Sequence, residues 1–102
     1  MAAISVEAAE LYAAYDANEV AADKQYKGTR MNVTGTVAGI SKDFMDDPYL
    51  QLIGKNQYST VHVSFPKSRM DELAKLQKGD NVTVSGCIGK GKVVTSPVVE
   101  CH

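Results

Sequence analysis

Gly86, Gly91 and Lys92 stand at the spacing of a phosphate-cradling loop, so the segment GCIGKGKVV (residues 86–94) first raises a nucleotide site. Such a loop needs Ser or Thr after its lysine to hold magnesium, and a helix whose N-terminus faces the phosphates. Val93 and Val94 follow instead, and Thr95 and Pro97 in the short remainder forbid a helix. The segment reads as a hairpin turn, with Lys90 and Lys92 at its tip. SKDFMDD (41–47) brings Asp43, Asp46 and Asp47 together, but it lacks the spacing and closing glutamate of a calcium loop and reads as a solvated turn. Cys87, Cys101, His62 and His102 are zinc-ligand types without the short paired spacings of zinc motifs. No CxxC is present, and nothing ties His62 to a thiolate. Without an acid–base pair, an activated nucleophile or a metal set, the chain reads as a non-enzyme with no metal and no cofactor.

Composition narrows the remaining classes. At 102 residues the chain is expected to form a single domain over residues 1–102, and 44% hydrophobic with 23% charged residues fits a globular protein rather than a disordered one. A formal net charge of -1 weighs against a surface that neutralises many phosphates. No apolar run reaches the ~20 residues of a membrane span.

The elements that must position these groups follow from periodicity. Ala8, Leu11, Tyr12, Tyr15, Ala22 and Tyr26 recur at helical spacing, which predicts one helix over about 5–27, capped by Ser5 and ended by Gly28. Asn18 and Glu19 fall at the centre of that stripe, and so are expected to be a buried polar pair with hydrogen-bonding partners under the helix. The period then changes to two. Met31, Val33, Gly35 and Val37 mark a bent strand, PYLQLI (48–53) a second, and TVHVSF (60–65) a third that Pro66 stops. Ser68 and Asp71 resemble a capping box for a second helix carrying Met70, Leu73, Ala74 and Leu76 and stopped by Gly79. NVTVSG (81–86) and VVTSPVVEC (93–101) supply the last two strands.

This order predicts a mainly β chain with two helices: a five-stranded OB-fold barrel over about 29–102, preceded by an N-terminal helix, with the second helix between strands three and four. The residues also resemble the tRNA_anti-like family of OB-fold proteins, through LYAAYDANEVAADKQYKG, VTGTVAGI, VSFPKSRMDELAKLQKGDNVTVSGCIG and the terminal VVEC. The resemblance implies a fold and a habitat, that of small bacterial proteins often secreted or lipid-anchored, and no assigned activity. It makes export the expected localisation, periplasmic or lipid-anchored, with a signal peptide preceding Met1.

Within an OB barrel the strands bearing Cys87 and Cys101 are neighbours, so a disulfide is expected in an oxidising compartment. Register is the obstacle. A tight turn at Gly89–Lys92 would set Cys87 opposite Val94, and pairing with Cys101 then requires a bulge or the break at Pro97. OB barrels bind strands of nucleic acid across their second and third strands, where Tyr49, Gln51, Tyr58, His62, Lys90 and Lys92 are the expected ligand-binding residues. Single-stranded nucleic acid is the expected ligand. The alternative is another envelope protein, because Asp43, Asp46 and Asp47 would repel phosphate beside the same surface.

Overall fold

The alternation of apolar and polar residues after Gly28 does build a strand with one buried face, but that strand runs longer than the pattern. The computed structural model describes residues 3–93 and 96–102. Its elements in chain order are β1 (Ile4–Glu7), α1 (Ala8–Ala17), α2 (Glu19–Tyr26), β2 (Arg30–Lys42), β3 (Pro48–Asn56), β4 (Ser59–Ser64), a 3-10 turn (Lys67–Arg69), α3 (Met70–Ala74), β5 (Asn81–Val93) and β6 (Ser96–Cys101). The sheet order is β1-β2-β3-β4-β6-β5, and β2 also pairs with β5. That extra pairing joins β2 through β6 into a ring of hydrogen-bonded strands. It is possible because β2 is shared: residues 30–36 pair with β5 and residues 37–42 with β3, with a register shift between Val37 and Gly39 where the strand bends.

The core fills the ring. Met31, Val33, Val37, Leu50, Leu52, Val61, Val63 and Val99 are all buried, each worth roughly 1.5–3 kcal/mol once removed from water. α1 packs across β3 and β4, and α2 against β5. Gly35 permits the approach of α1, since a Cβ there would lie 2.9 Å from the Cβ of Ala8.

The predicted apolar stripe is present, with Ala8, Leu11, Tyr15, Ala22 and Tyr26 all buried. The single helix is not. Ser5 lies in β1, a short strand parallel to β2 that the sequence reading missed, and the Glu10 carboxylate accepts from the Glu7 N–H at the start of α1. The chain breaks at Asn18, whose backbone is extended and whose carboxamide accepts from the Ala21 N–H at 3.1 Å, an N-cap for α2. Asn18 and Glu19 are therefore exposed rather than buried. On a continuous helix both would face inward; the break turns them out. Across it, the Tyr15 hydroxyl donates to Asp23 at 2.8 Å, and burial together with that carboxylate pushes the phenol's pKa well above its ordinary value.

The second predicted helix is also shorter. α3 spans five residues, Ser68 does not cap it, and Leu73 is its one fully buried side chain. The Gly79 N–H donates to the Val37 carbonyl at 2.8 Å, which closes the return to β5.

The GKGK segment is strand rather than turn. Lys90, Gly91 and Lys92 belong to β5, and Gly91, at φ +88°, adopts the left-handed backbone of a bulge opposite Val98. Val94, which an unbulged tight turn would set opposite Cys87, lies outside the described residues. The register shifts between Gly89 and Gly91, which is the bulge that pairing required, so Cys87 faces Cys101 and the two form the expected disulfide.

Candidate binding surface

Odd-numbered positions of β3 point out of the ring because their even-numbered neighbours Leu50 and Leu52 fill it. Tyr49 and Gln51 are thus half-buried on the outer face, beside His62 and Ser64 of β4. The Tyr49 and His62 rings stack with centroids 4.4 Å apart and planes 23° from parallel. Burial lowers the imidazole's pKa below its ordinary value, and the nearby Asp43 carboxylate opposes that shift without cancelling it. At neutral pH the ring is uncharged. Gln51, opposite His62, lays its carboxamide over Gly39, where its oxygen lies 2.7 Å from the position of an absent Cβ.

The other expected ligand residues are dispersed. Lys90 reaches this face, but its ammonium is held 3.2 Å from Glu100, which β6 places beside Ser64. Lys92 lines a small recess with Tyr12, Tyr15, Asp16 and Pro97, on the side covered by α1. Tyr58 is 86% exposed in the β3–β4 turn, where the Asn56 carboxamide accepts from the N–H groups of Tyr58 and Ser59. At about 3.3 Å per residue, that turn is more than about 23 Å along β3 from Tyr49.

The aspartates of the β2–β3 connection have structural work. The Asp43 carboxylate accepts from the N–H groups of Met45 and Asp47 at 2.8 and 3.0 Å, and two backbone bonds between Asp43 and the 46–47 stretch close the loop. Lys42 pairs with Asp46 at 3.6 Å and Lys67 with Asp47 at 4.0 Å. Among the described residues no cluster of His, Cys, Asp or Glu is placed to hold a metal, and both cysteines are oxidised. A recess of about 430 Å³ beside the loop is bordered by Asp43, Asp47, Lys67, Glu100 and His102. Its acidic balance disfavours anions.

The sequence reading passed over Phe44 and Met45. They are 97% and 62% exposed at the tip of this loop. The signal was two large apolar residues inside an acidic turn, where solvation alone calls for polar ones.

A strand ring of this order with a helix between β4 and β5 defines an OB-like fold, six-stranded here through the added β1. The chain belongs to the tRNA_anti-like family, whose model matches residues 1–101. Among solved structures it is similar to a protein described as a "putative nucleic acid-binding lipoprotein" from Klebsiella pneumoniae, at 16% identity and a TM-score of 0.65 over 95% of this chain and 87% of that one. Two OBodies bound to hen egg-white lysozyme are also similar, at 20% identity, with TM-scores of 0.59 and 0.55, each over 74% of this chain and 78% and 77% of theirs. No curated protein matches the chain in sequence. At these identities the likeness shows the fold. Among the described residues no helix is long and apolar enough to cross a membrane.

Proposed function

We propose that residues 1–102 act as one non-enzymatic binding domain, that its working surface is the outer face of β3 and β4, and that its partner is a protein met in an oxidising compartment such as a cell envelope. The observation that carries this reading is the pairing of charge around Tyr49 and His62. Lys90 is held by Glu100 and Lys42 by Asp46, while Asp43 stands near the imidazole. A nucleic-acid strand needs cations free to replace its counterions. Half-buried rings inside a charge-balanced polar rim suit a protein surface instead. The lysozyme-bound OBodies support a protein ligand on this fold. The buried disulfide, which persists outside reducing compartments, and the lipoprotein description of the Klebsiella neighbour support export. Oxidised cysteines and an Asp43 engaged by backbone N–H groups support the reading as a non-enzyme.

Single-stranded nucleic acid is the second reading, favoured by the stacked Tyr49–His62 rings, the family's name and the nucleic acid-binding description of the Klebsiella neighbour. Fluorescence anisotropy with mixed-sequence single-stranded DNA and RNA separates the two. The protein reading expects no binding at tens of micromolar protein in low salt. Binding that falls steeply with salt and with Lys90→Ala plus Lys92→Ala would replace it with the nucleic-acid reading.

A further inference from the structure

Sulfur is distributed unevenly between the core and the surface of this fold. Cys87 and Cys101 are already joined to one another and enclosed. Met31 is 0% exposed, with its terminal methyl close to Gly89 in the core. Met70 is half-buried at the start of α3. Met45, beside Phe44 at the tip of the β2–β3 connection, is 62% exposed. A thioether has no proton to lose before it reacts, so access decides which of these sulfurs meets an oxidant.

The loop around Met45 is held by other groups. The Asp43 carboxylate accepts from the N–H groups of Met45 and Asp47, backbone bonds join Asp43 to the 46–47 stretch, and Lys42 and Lys67 pair with Asp46 and Asp47. None of these contacts uses the Met45 sulfur, so its chemistry can change while the backbone stays in place. At Met31 the same change would set a polar sulfoxide in the hydrophobic core, where an unpaired acceptor is costly.

We propose that Met45 is an oxidation site of the folded protein, taking an oxygen atom from a hydroperoxide and so turning an apolar loop tip into a polar one. A sulfur lone pair attacks the peroxide, an S–O bond forms as the O–O bond breaks, and the proton of the transferred hydroxyl passes to the leaving oxygen. Sulfur is oxidised by two electrons, and hydrogen peroxide is reduced to water. The sulfoxide puts a strong hydrogen-bond acceptor next to Phe44 in a loop that keeps its shape. The inference goes beyond the proposed function, because Met45 is no part of the Tyr49–His62 pair and its oxidation does not depend on what that face binds.

Limited treatment with hydrogen peroxide tests it. Trypsin separates the three described methionines into the segments 31–42, 43–55 and 70–75, and mass spectrometry reads each one. In the folded protein 43–55 should gain one oxygen roughly tenfold faster than 31–42, and ahead of 70–75. In urea the three rates should converge, because folding and not local sequence sets their order. The oxidised protein should keep the parent's melting temperature and leave a hydrophobic-interaction column earlier. Met45→Leu, which has no sulfur at the tip, should keep its retention through the same treatment. Oxidation of 31–42 or 70–75 as fast as 43–55 in the folded protein overturns the inference. So do rates that stay apart in urea, a melting temperature that falls once Met45 is oxidised, or a Met45→Leu retention that shifts as far as the parent's.

Discussion

Two aromatic pairs, one under the helices and one on the outer face of β3 and β4, are treated differently. Tyr15 and Tyr26 lie under the helices with ring centroids 6.4 Å apart, both buried, with the Tyr15 hydroxyl donating to Asp23. Tyr49 and His62 lie on the outer face, closer and more nearly parallel but only half-buried, and among the described residues neither ring's polar atoms form a hydrogen bond to protein. A pair sealed from water with its polar atom satisfied contributes stability. A pair left half open with its polar atoms unassigned gives up that contribution and stays available to a partner. The difference places cohesion on the helix side and leaves the outer pair free for the recognition proposed for it.

The sharpest way to break this comparison is to truncate one ring on each side. Tyr15→Ala should cost about 3–5 kcal/mol, as a buried aromatic does, and Tyr49→Ala less than about 1.5 kcal/mol, both measured by urea unfolding. Comparable losses would erase the distinction. Next in size is the disulfide. Closing a loop of sequence separation 14 is worth roughly 3 kcal/mol in the chain-entropy model, so reduction should lower the melting temperature while leaving binding by the outer face intact. Mass spectrometry of unreduced protein should find two hydrogens missing, and two alkylatable thiols in that sample would contradict the bond.

Smaller effects follow. Asn18→Ala should cost about 1 kcal/mol, the ordinary value of an N-cap, with no change in binding. A pH series reads the outer pair. The pKa of His62 is lowered in the fold, so the unfolded chain takes up its proton first as pH falls. The contribution of His62 is therefore complete above its ordinary value near 6.5 and lost as pH drops below it, partly screened by solvent. His62→Gln should flatten that slope; an unchanged profile would show the imidazole to be freely solvated.

What was legible in the sequence was whatever depends on periodicity. Met31, Val33 and Val37 announce their strand, and the stripe from Ala8 to Tyr26 marks a buried helical face. The break inside that stripe was not legible, because an asparagine at position 18 satisfies a helical face and an N-cap equally well until the partner N–H of Ala21 is known. Lys90 presents the same difficulty in electrostatic form. Its neutralising partner, Glu100, is ten residues away in sequence and is delivered only by the register between β5 and β6. The glycines around Lys90 were read as a turn because a bulge and a turn ask for the same residue. Phe44 was masked by the aspartates that hold it in place.

The disulfide also decides how the molecule carries a load. A pull on His102 reaches Cys101 first and passes through the covalent bond to Cys87, so the hydrogen bonds between β5 and β6 cannot be unzipped one by one from that end. The chain between the two cysteines is shielded from tension. In a single-molecule stretching experiment the oxidised protein should release a contour length shorter by that segment than the reduced protein does. The segment includes β6, the one strand that pairs with both β4 and β5, so a tether attached near the C-terminus would leave that part of the ring slack while the rest of the fold bears the strain.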